Sequence, residues 1–262
     1  ITKILKTKTE GFIDTFTIYY DDSTEESFEL LNGKHTARDY NLFLYSYYMP
    51  EPEPKVERVD LPFSSGSIDL TEATGIVPYK DREGLEFKFI LKDGNAENFA
   101  NIVQSLSMFL HGKYLKMIVD HDTSYYYMVR LNVDPKKTNA RNSEIVLTGV
   151  ADPFKYNLLA SNEPWEWNPF SFVSGVIQDT SDITVNGEKE IEVMAGGIPT
   201  CPEFYVSKIE TTLSVVFDDI TYKFASGAGS YRFPQIRISG DDAVIKFVGK
   251  GKVSLAYRGR FL

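Results

Sequence analysis

The chain has 262 residues, 42% of them hydrophobic, and a formal net charge of -9 from 28 Lys+Arg against 37 Asp+Glu. That length suits one large or two small domains, and the hydrophobic share suits an ordinary globular core. The acidic balance and the lack of a dense Lys/Arg run argue against a duplex nucleic-acid binder, whose affinity comes from basic side chains on phosphates.

Aromatics make up 14% of the chain, with 16 Tyr and 18 Phe, which tilts the expectation towards strands. Residues 14–20 alternate polar and apolar and predict a strand. Phe28-Glu29-Leu30-Leu31 leads into Asn32-Gly33, a two-residue hairpin signal because both positions tolerate positive φ. Leu42 to Tyr48 predicts another strand. Pro50, Pro52 and Pro54 exclude a central strand, since proline donates nothing to a ladder; an extended connector follows. Phe63 to Leu70 is a hydroxyl-rich loop around Gly66.

Leu85, Phe87 and Phe89 share one face of a predicted strand over 85–91, with Glu86 and Lys88 opposite. The period then changes. Phe99, Ile102, Val103, Leu106, Phe109 and Leu110 fit a helix over about 96–111, with Asn95 as N-cap and Gly112 just past its end. Its apolar stripe is expected to face the core of its own domain. Strands are predicted at 115–120 and 125–131, joined by a turn at 121–124, and at 143–150, running on towards Tyr156.

Composition shifts near Ser161, and Asn162 to Pro169 has the prolines and polar residues of a boundary. The remainder is β by pattern. Asn186-Gly187 is a second hairpin signal. Short strands are predicted at 204–206, 213–217, 221–224, 235–238, 243–247 and 253–257, the spacing of a sandwich or barrel.

The single cysteine, Cys201, excludes an intrachain disulfide and a zinc site of several thiolates. No apolar run approaches the roughly 18–20 residues that span a bilayer, so no membrane insertion is expected. Lys3, Lys6, Lys8 and Glu10 interrupt the apolar run a signal peptide needs, so synthesis in the cytoplasm is expected. No motif for a nucleotide loop, a metalloprotease or a serine hydrolase occurs, and no pair of carboxylates is singled out for glycoside hydrolysis. A non-enzyme with no cofactor is expected. Asp120 and Asp122 flank His121, but the following Thr123-Ser124 points to a turn rather than a metal site. Trp165 and Trp167 alternate onto one face, where they would pack at an interface or stack on a sugar. Tyr125, Tyr126 and Tyr127 form a second candidate interface.

The ordered set of features resembles the distal tail proteins of siphophages. It comprises Asn32-Gly33, Pro50 to Pro54, Ser65-Gly66-Ser67-Ile68-Asp69-Leu70, Tyr79-Lys80-Asp81-Arg82, the strand at 85–91, the helix near 96–111, Ala151 to Tyr156, and the closing Val253 to Leu262. The loop at 64–67 departs from the family pattern, in which a second glycine or an acidic residue is common. The resemblance implies a mainly β protein with an N-terminal β-sandwich carrying one α-helix, residues 1–160. A C-terminal galectin-like β-sandwich, residues 161–262, would follow, its final strand in some relatives returning to the first domain. It further implies a hexameric ring at the virion tail tip. The ring would join the tail tube protein to a tail-associated fibre or lysin protein, and some relatives also hold receptor-binding proteins. The alternative from another class is a carbohydrate-binding module recognising host saccharide through the tryptophans.

Overall fold

The computed structural model describes residues 16–20, 34–63, 65–73, 75–91, 96–137, 143–163, 179–225, 227–240 and 243–262. The Asn32-Gly33 hairpin, the Asn95 cap and the boundary segment at 164–169 with Trp165 and Trp167 lie outside the described residues. The chain divides into two compact units, residues 1–155 with Leu262, and residues 156–261.

In the first unit the elements run β1 (Phe16–Tyr20), β2 (Lys34–His35), α1 (Thr36–Tyr40), β3 (Leu42–Tyr48), β4 (Arg58–Asp60), β5 (Ser67–Asp69), β6 (Arg82–Leu91), α2 (Ala96–Leu110), β7 (Tyr114–Val119), β8 (Tyr125–Lys137) and β9 (Ser143–Asn157). Strands β2-β1-β7-β8-β9 are neighbours in that order, and β6 joins β9 to β3. The β1–β2, β1–β7, β3–β6, β6–β9 and β7–β8 pairings are antiparallel. The alternation of β6 decides its faces. Leu85, Phe87, Phe89 and Leu91 are buried, and the residues between them are not. Leu106, Phe109 and Leu110 of α2 close the same core, with Phe99, Ile102 and Val103 packed against it. The helical period therefore reports a core-facing stripe, as expected. Gly112 follows the helix at φ 70°, the conformation that ends helices cheaply.

Two local features were not visible as patterns. The short helix α1 has no apolar period; it is held by its caps. Between Leu44 and Ser46 the β3–β6 register shifts, so Tyr45 is the extra residue of a bulge. The bulge breaks the alternation of β3, and Tyr45, Ser46, Tyr47 and Tyr48 are all exposed.

The second unit contains β10 (Ile183–Val193), β11 (Gly196–Thr200), β12 (Glu203–Phe217), β13 (Ile220–Lys223), β14 (Gly229–Arg232), β15 (Ile238–Gly240), β16 (Ala243–Ala256) and β17 (Arg260–Phe261). One sheet runs β10-β16-β12-β13, with β14 also on β12. A smaller ladder runs β15-β11-β17. Phe204, Val215, Ile245, Phe247 and Leu255 from the first and Ile238 from the second share one core.

The expected hairpin at Asn186-Gly187 does not form. Both residues lie inside β10, which pairs with β16 without interruption from Ile183 to Val193. Gly187, at φ 97°, faces Gly249, at φ 128°. A Cβ on Gly249 would stand 1.9 Å from the Thr212 carbonyl oxygen of β12. The glycine pair thus serves a close crossing of three strands rather than a turn. Likewise the short strands predicted at 204–206 and 213–217 are one strand, β12, and those at 243–247 and 253–257 are one strand, β16. Register shifts after Val206 and Ile209 interrupt the period-two pattern without ending the strand.

Candidate assembly surface

The most exposed apolar feature among the described residues is an arm between β3 and β6. It leaves at the proline connector. Lys55 N–H donates to Pro78 O at 2.8 Å and Lys80 N–H donates to Glu53 O at 2.8 Å, with Pro54 and Tyr79 in an isolated bridge. Further out, Leu70 N–H donates to Glu57 O. Then β4 and β5 pair only with each other, in the register Arg58↔Asp69, Val59↔Ile68 and Asp60↔Ser67.

This register gives the ribbon two unlike faces, because strand side chains alternate. Val59 and Ile68 are a cross-strand pair, and Leu61 and Leu70 lie two residues along on the same side. Arg58 and Asp69, 3.6 Å apart, occupy the other side. Val59, Leu61, Ile68 and Leu70 are each more than two-fifths exposed, and Phe63 at the tip is fully exposed. An isolated two-stranded ribbon is marginal in water, and here its apolar face is left partly exposed. The signal was present in the sequence as alternation at 59, 61 and 63 and again at 68 and 70. The glycine and serines around it made the segment read as a loop.

The arm is rooted on Arg82, one of the largest fully buried side chains. Its Nε donates to Pro153 O at 3.1 Å and its Nη1 to Pro50 O at 2.8 Å. Nη1 also lies 3.1 Å from a Glu51 carboxylate oxygen, and the guanidinium sits 5.8 Å from the centre of the Tyr127 ring. The planar fork reaches the connector and β9 at once, which a point-charge ammonium cannot do. Nearby, the Tyr79 ring meets Phe154 edge-on at 5.9 Å.

The structure places the other singled-out residues as follows. Tyr125 and Tyr126 are buried in the first unit and Tyr127 is partly buried. Cations cover their rings: Lys155 Nζ lies 4.7 Å from Tyr125 and Lys116 Nζ 5.3 Å from Tyr126. Burial pushes the Tyr127 phenol above its ordinary range. The tyrosines left at the surface of this unit include Tyr45, Tyr47 and Tyr48 on β3, with Tyr47 stacked 6.3 Å from His121. Asp120 and Asp122 part company: Asp120 takes His35 Nε2 at 3.1 Å, and Asp122 takes Lys155 Nζ at 3.3 Å. The turn predicted at 121–124 is present, with Asp122 N–H donating to Val119 O. Among the described residues no group of three or more His, Cys, Asp or Glu is placed to hold a metal ion. No helix among them is long and apolar enough to cross a membrane.

The architecture is thus a mainly β, antiparallel protein of two compact units, the first carrying a core helix and a projecting apolar ribbon. Its fold is similar to that of the SPP1 Dit (gp 19.1) protein, whose crystal structure is described as a paradigm of the hub adsorption apparatus in Gram-positive infecting phages. The match has a TM-score of 0.52 at 13% identity and covers 94% of this chain and 99% of that one. No family model and no curated protein matches the sequence. The structural likeness agrees with the resemblance carried by the ordered motifs.

Proposed function

We propose that this protein is a structural component of a phage tail tip that assembles through its first unit into a homo-oligomeric ring, a hexamer. The ring joins the tail tube protein to a tail-associated fibre or lysin protein. The second unit, a galectin-like sandwich in this reading, docks the adhesion components, receptor-binding proteins among them. The observation that carries the reading is the arm, an amphipathic ribbon with an uncovered apolar face. The fold shared with SPP1 Dit supports it.

The magnitudes favour a ring over an isolated pair. Full burial of an exposed Val, Leu or Ile side chain contributes about 1.5–3 kcal/mol, and Val59, Leu61, Ile68 and Leu70 are only 42–47% exposed, so covering what remains contributes about 3–6 kcal/mol together. Bringing two proteins together costs about 4–15 kcal/mol. One arm contact is therefore marginal. In a closed ring each subunit gives one contact and receives another through a different surface, so closure adds a contact without ordering a further subunit.

The test is the solution mass of the purified chain, by light scattering behind size exclusion, over a concentration series. A hexamer, or two hexamers back to back, is expected. Val59→Ser with Ile68→Ser, both exposed, should leave thermal unfolding of the subunit unchanged and shift assembly to higher concentration by at least tenfold. A strict monomer at every concentration would overturn autonomous ring formation.

A further inference from the structure

We infer that the outer face of β12, β14 and β16 binds a saccharide, stacking one pyranose ring on Tyr205 and holding its hydroxyls with Glu203 and Arg232. The site belongs to the second unit alone. It goes beyond the assembly reading above and stands whether or not the first unit forms a ring.

Strand register builds the site. Phe204 and Val206 of β12 are buried, so the alternating Glu203 and Tyr205 are turned to the opposite face. On one side β14 pairs in the register Glu203↔Arg232 and Tyr205↔Ser230. On the other β16 pairs in the register Glu203↔Ala256 and Tyr205↔Ser254. Residues directly opposite in antiparallel strands share a face. Tyr205 therefore stands between two serines, with Glu203 and Arg232 side by side in the next row. Tyr205 is 37% exposed, and Ser230 and Arg232 are exposed with it.

The polar groups are already in place. The Tyr205 hydroxyl donates to Glu203 Oε2 at 2.9 Å, and the Ser230 hydroxyl donates to Glu203 Oε1. A carboxylate has roughly four acceptor positions, so two donors fix it and leave room for a ligand's hydroxyls. Arg232 bonds the Cys201 side chain and lies near the Glu203 charge. Its five N–H donors exceed what that one bond uses. On the far side of the ring, Ser254 Oγ accepts the Asp182 N–H at 3.2 Å. Groups held in this way lose little freedom when a ligand arrives.

The mix of groups selects the ligand class. The centre of a protein interface gathers several apolar side chains. Here one aromatic ring stands among serines, a carboxylate and a guanidinium. A pyranose presents the complement, since its C–H groups lie flat on an aromatic face while its edge hydroxyls donate and accept. Tyrosine suits this use, having an apolar body and a polar tip. Neighbouring strands are about 4.8 Å apart, the scale of one sugar ring. A sugar stacked on Tyr205 thus brings its hydroxyls over Glu203 and Arg232.

The experiment is saturation-transfer NMR on the full chain, with the methyl glycosides of glucose, galactose and N-acetylglucosamine as probes. Saturation of the C–H protons on one face of at least one glycoside is expected, at an affinity of about 1 mM for so small a ligand. Tyr205→Ser and Arg232→Ala should each weaken binding by about tenfold. Tyr205→Phe, which keeps the ring and loses its bond to Glu203, should fall between them and the parent. Thermal unfolding should be unchanged in all three. Tyr48→Ser removes a tyrosine of the first unit that is 60% exposed and should leave the signal intact. No saturation of any of the three glycosides overturns the inference. Saturation that survives both Tyr205→Ser and Arg232→Ala overturns the assigned site, and equal loss in Tyr48→Ser shows non-specific contact and overturns it too. A monomer by light scattering bears on the ring alone, and a missing sugar signal leaves the ring untouched.

Discussion

His35 Nε2 lies 3.1 Å from Asp120 Oδ2, while His35 Nδ1 accepts the backbone N–H of Arg38 at 3.1 Å. The two contacts assign the ring: Nδ1 carries no proton, and Nε2–H donates to the carboxylate. His35 is the N-cap of α1, and Asp39 completes the cap by accepting the His35 N–H at 2.7 Å. A side chain outside the usual capping set does the work of an Asn because Asp120, from the end of β7, orients it.

Replacing His35 with Ala removes a cap and takes the imidazole donor away from the half-buried Asp120. Caps contribute about 0.5–2 kcal/mol, and hydrogen bonds to charged groups about 1.5–3 kcal/mol. Urea unfolding should show His35→Ala destabilised by about 2–4 kcal/mol. Asp120→Asn, which keeps an acceptor, should cost about 1 kcal/mol or less. Acid should act on the same cap through Asp39. Burial raises its carboxyl, but the hydrogen bonds from Arg38 and the His35 amide and the charges of Arg38 and Lys34 outweigh that and hold it below its ordinary 3.8. A depressed folded-state value means stability that is present above 3.8 and lost as pH falls below it. Stability measured from pH 5 down to pH 2 should fall less steeply in Asp39→Asn than in the parent.

Arg82 should be far less replaceable than its charge suggests. Arg82→Ala strands the carbonyls of Pro50 and Pro153 and empties a fully buried site. The loss should be about 3–5 kcal/mol, the range for breaking a buried charged network. Arg82→Lys should recover less than half of it, because an ammonium lacks the planar fork. Limited proteolysis should then cut first within residues 53–80, whose root Arg82 holds.

Gly249→Ala puts a Cβ 1.9 Å from the Thr212 carbonyl oxygen at a φ of 128°. Backbone must move in two strands at once, since the obstacle is not a flexible side chain. Thermal unfolding should show the second unit destabilised by about 3 kcal/mol, at the upper end of ordinary single substitutions. Gly197→Ala, with open space at its Cβ, should be close to neutral.

Tyr257 supplies a test at high pH. Burial pushes its phenol up to about 12, and its hydroxyl donates to Met194 O at 2.9 Å. The unfolded chain releases this proton near pH 10, while the folded chain holds it to about pH 12. The stabilisation is thus complete below pH 10 and lost as pH rises to 12. Urea midpoints should fall across that window, and Tyr257→Phe should flatten the fall while costing about 1 kcal/mol at neutral pH.

The core elements were legible because burial follows a local period. Leu85 to Leu91 alternates on the page as it does in β6, and the stripe from Phe99 to Leu110 is the buried face of α2. Strand β3 was found from Leu42 to Tyr48, but its bulge at Tyr45, which exposes three tyrosines, was not. Asn186-Gly187 misled because two residues that tolerate positive φ suit a turn and a bent strand equally. Only the partner strand, with Gly249 opposite, distinguishes them. The candidate surface followed the same division. The Tyr125 to Tyr127 run drew attention by composition, yet two of its three rings are buried. The ribbon's stretch from Phe63 to Leu70 read as loop, and the alternation at Val59 and Leu61 before it drew no assignment.

The sequence by itself determined the acidic, strand-rich, single-cysteine character of the protein, the place of its long helix, and the order of motifs that resembles the distal tail family. These are properties of composition and of periods a few residues long. Tertiary structure alone decided that Arg82 joins Pro50 to Pro153, that His35 captures Asp120, and that β4 and β5 pair with each other as a separate sheet among the described residues. Each depends on which distant segments meet. A hydrogen bond between residues 71 or 85 positions apart leaves no periodic trace in the chain.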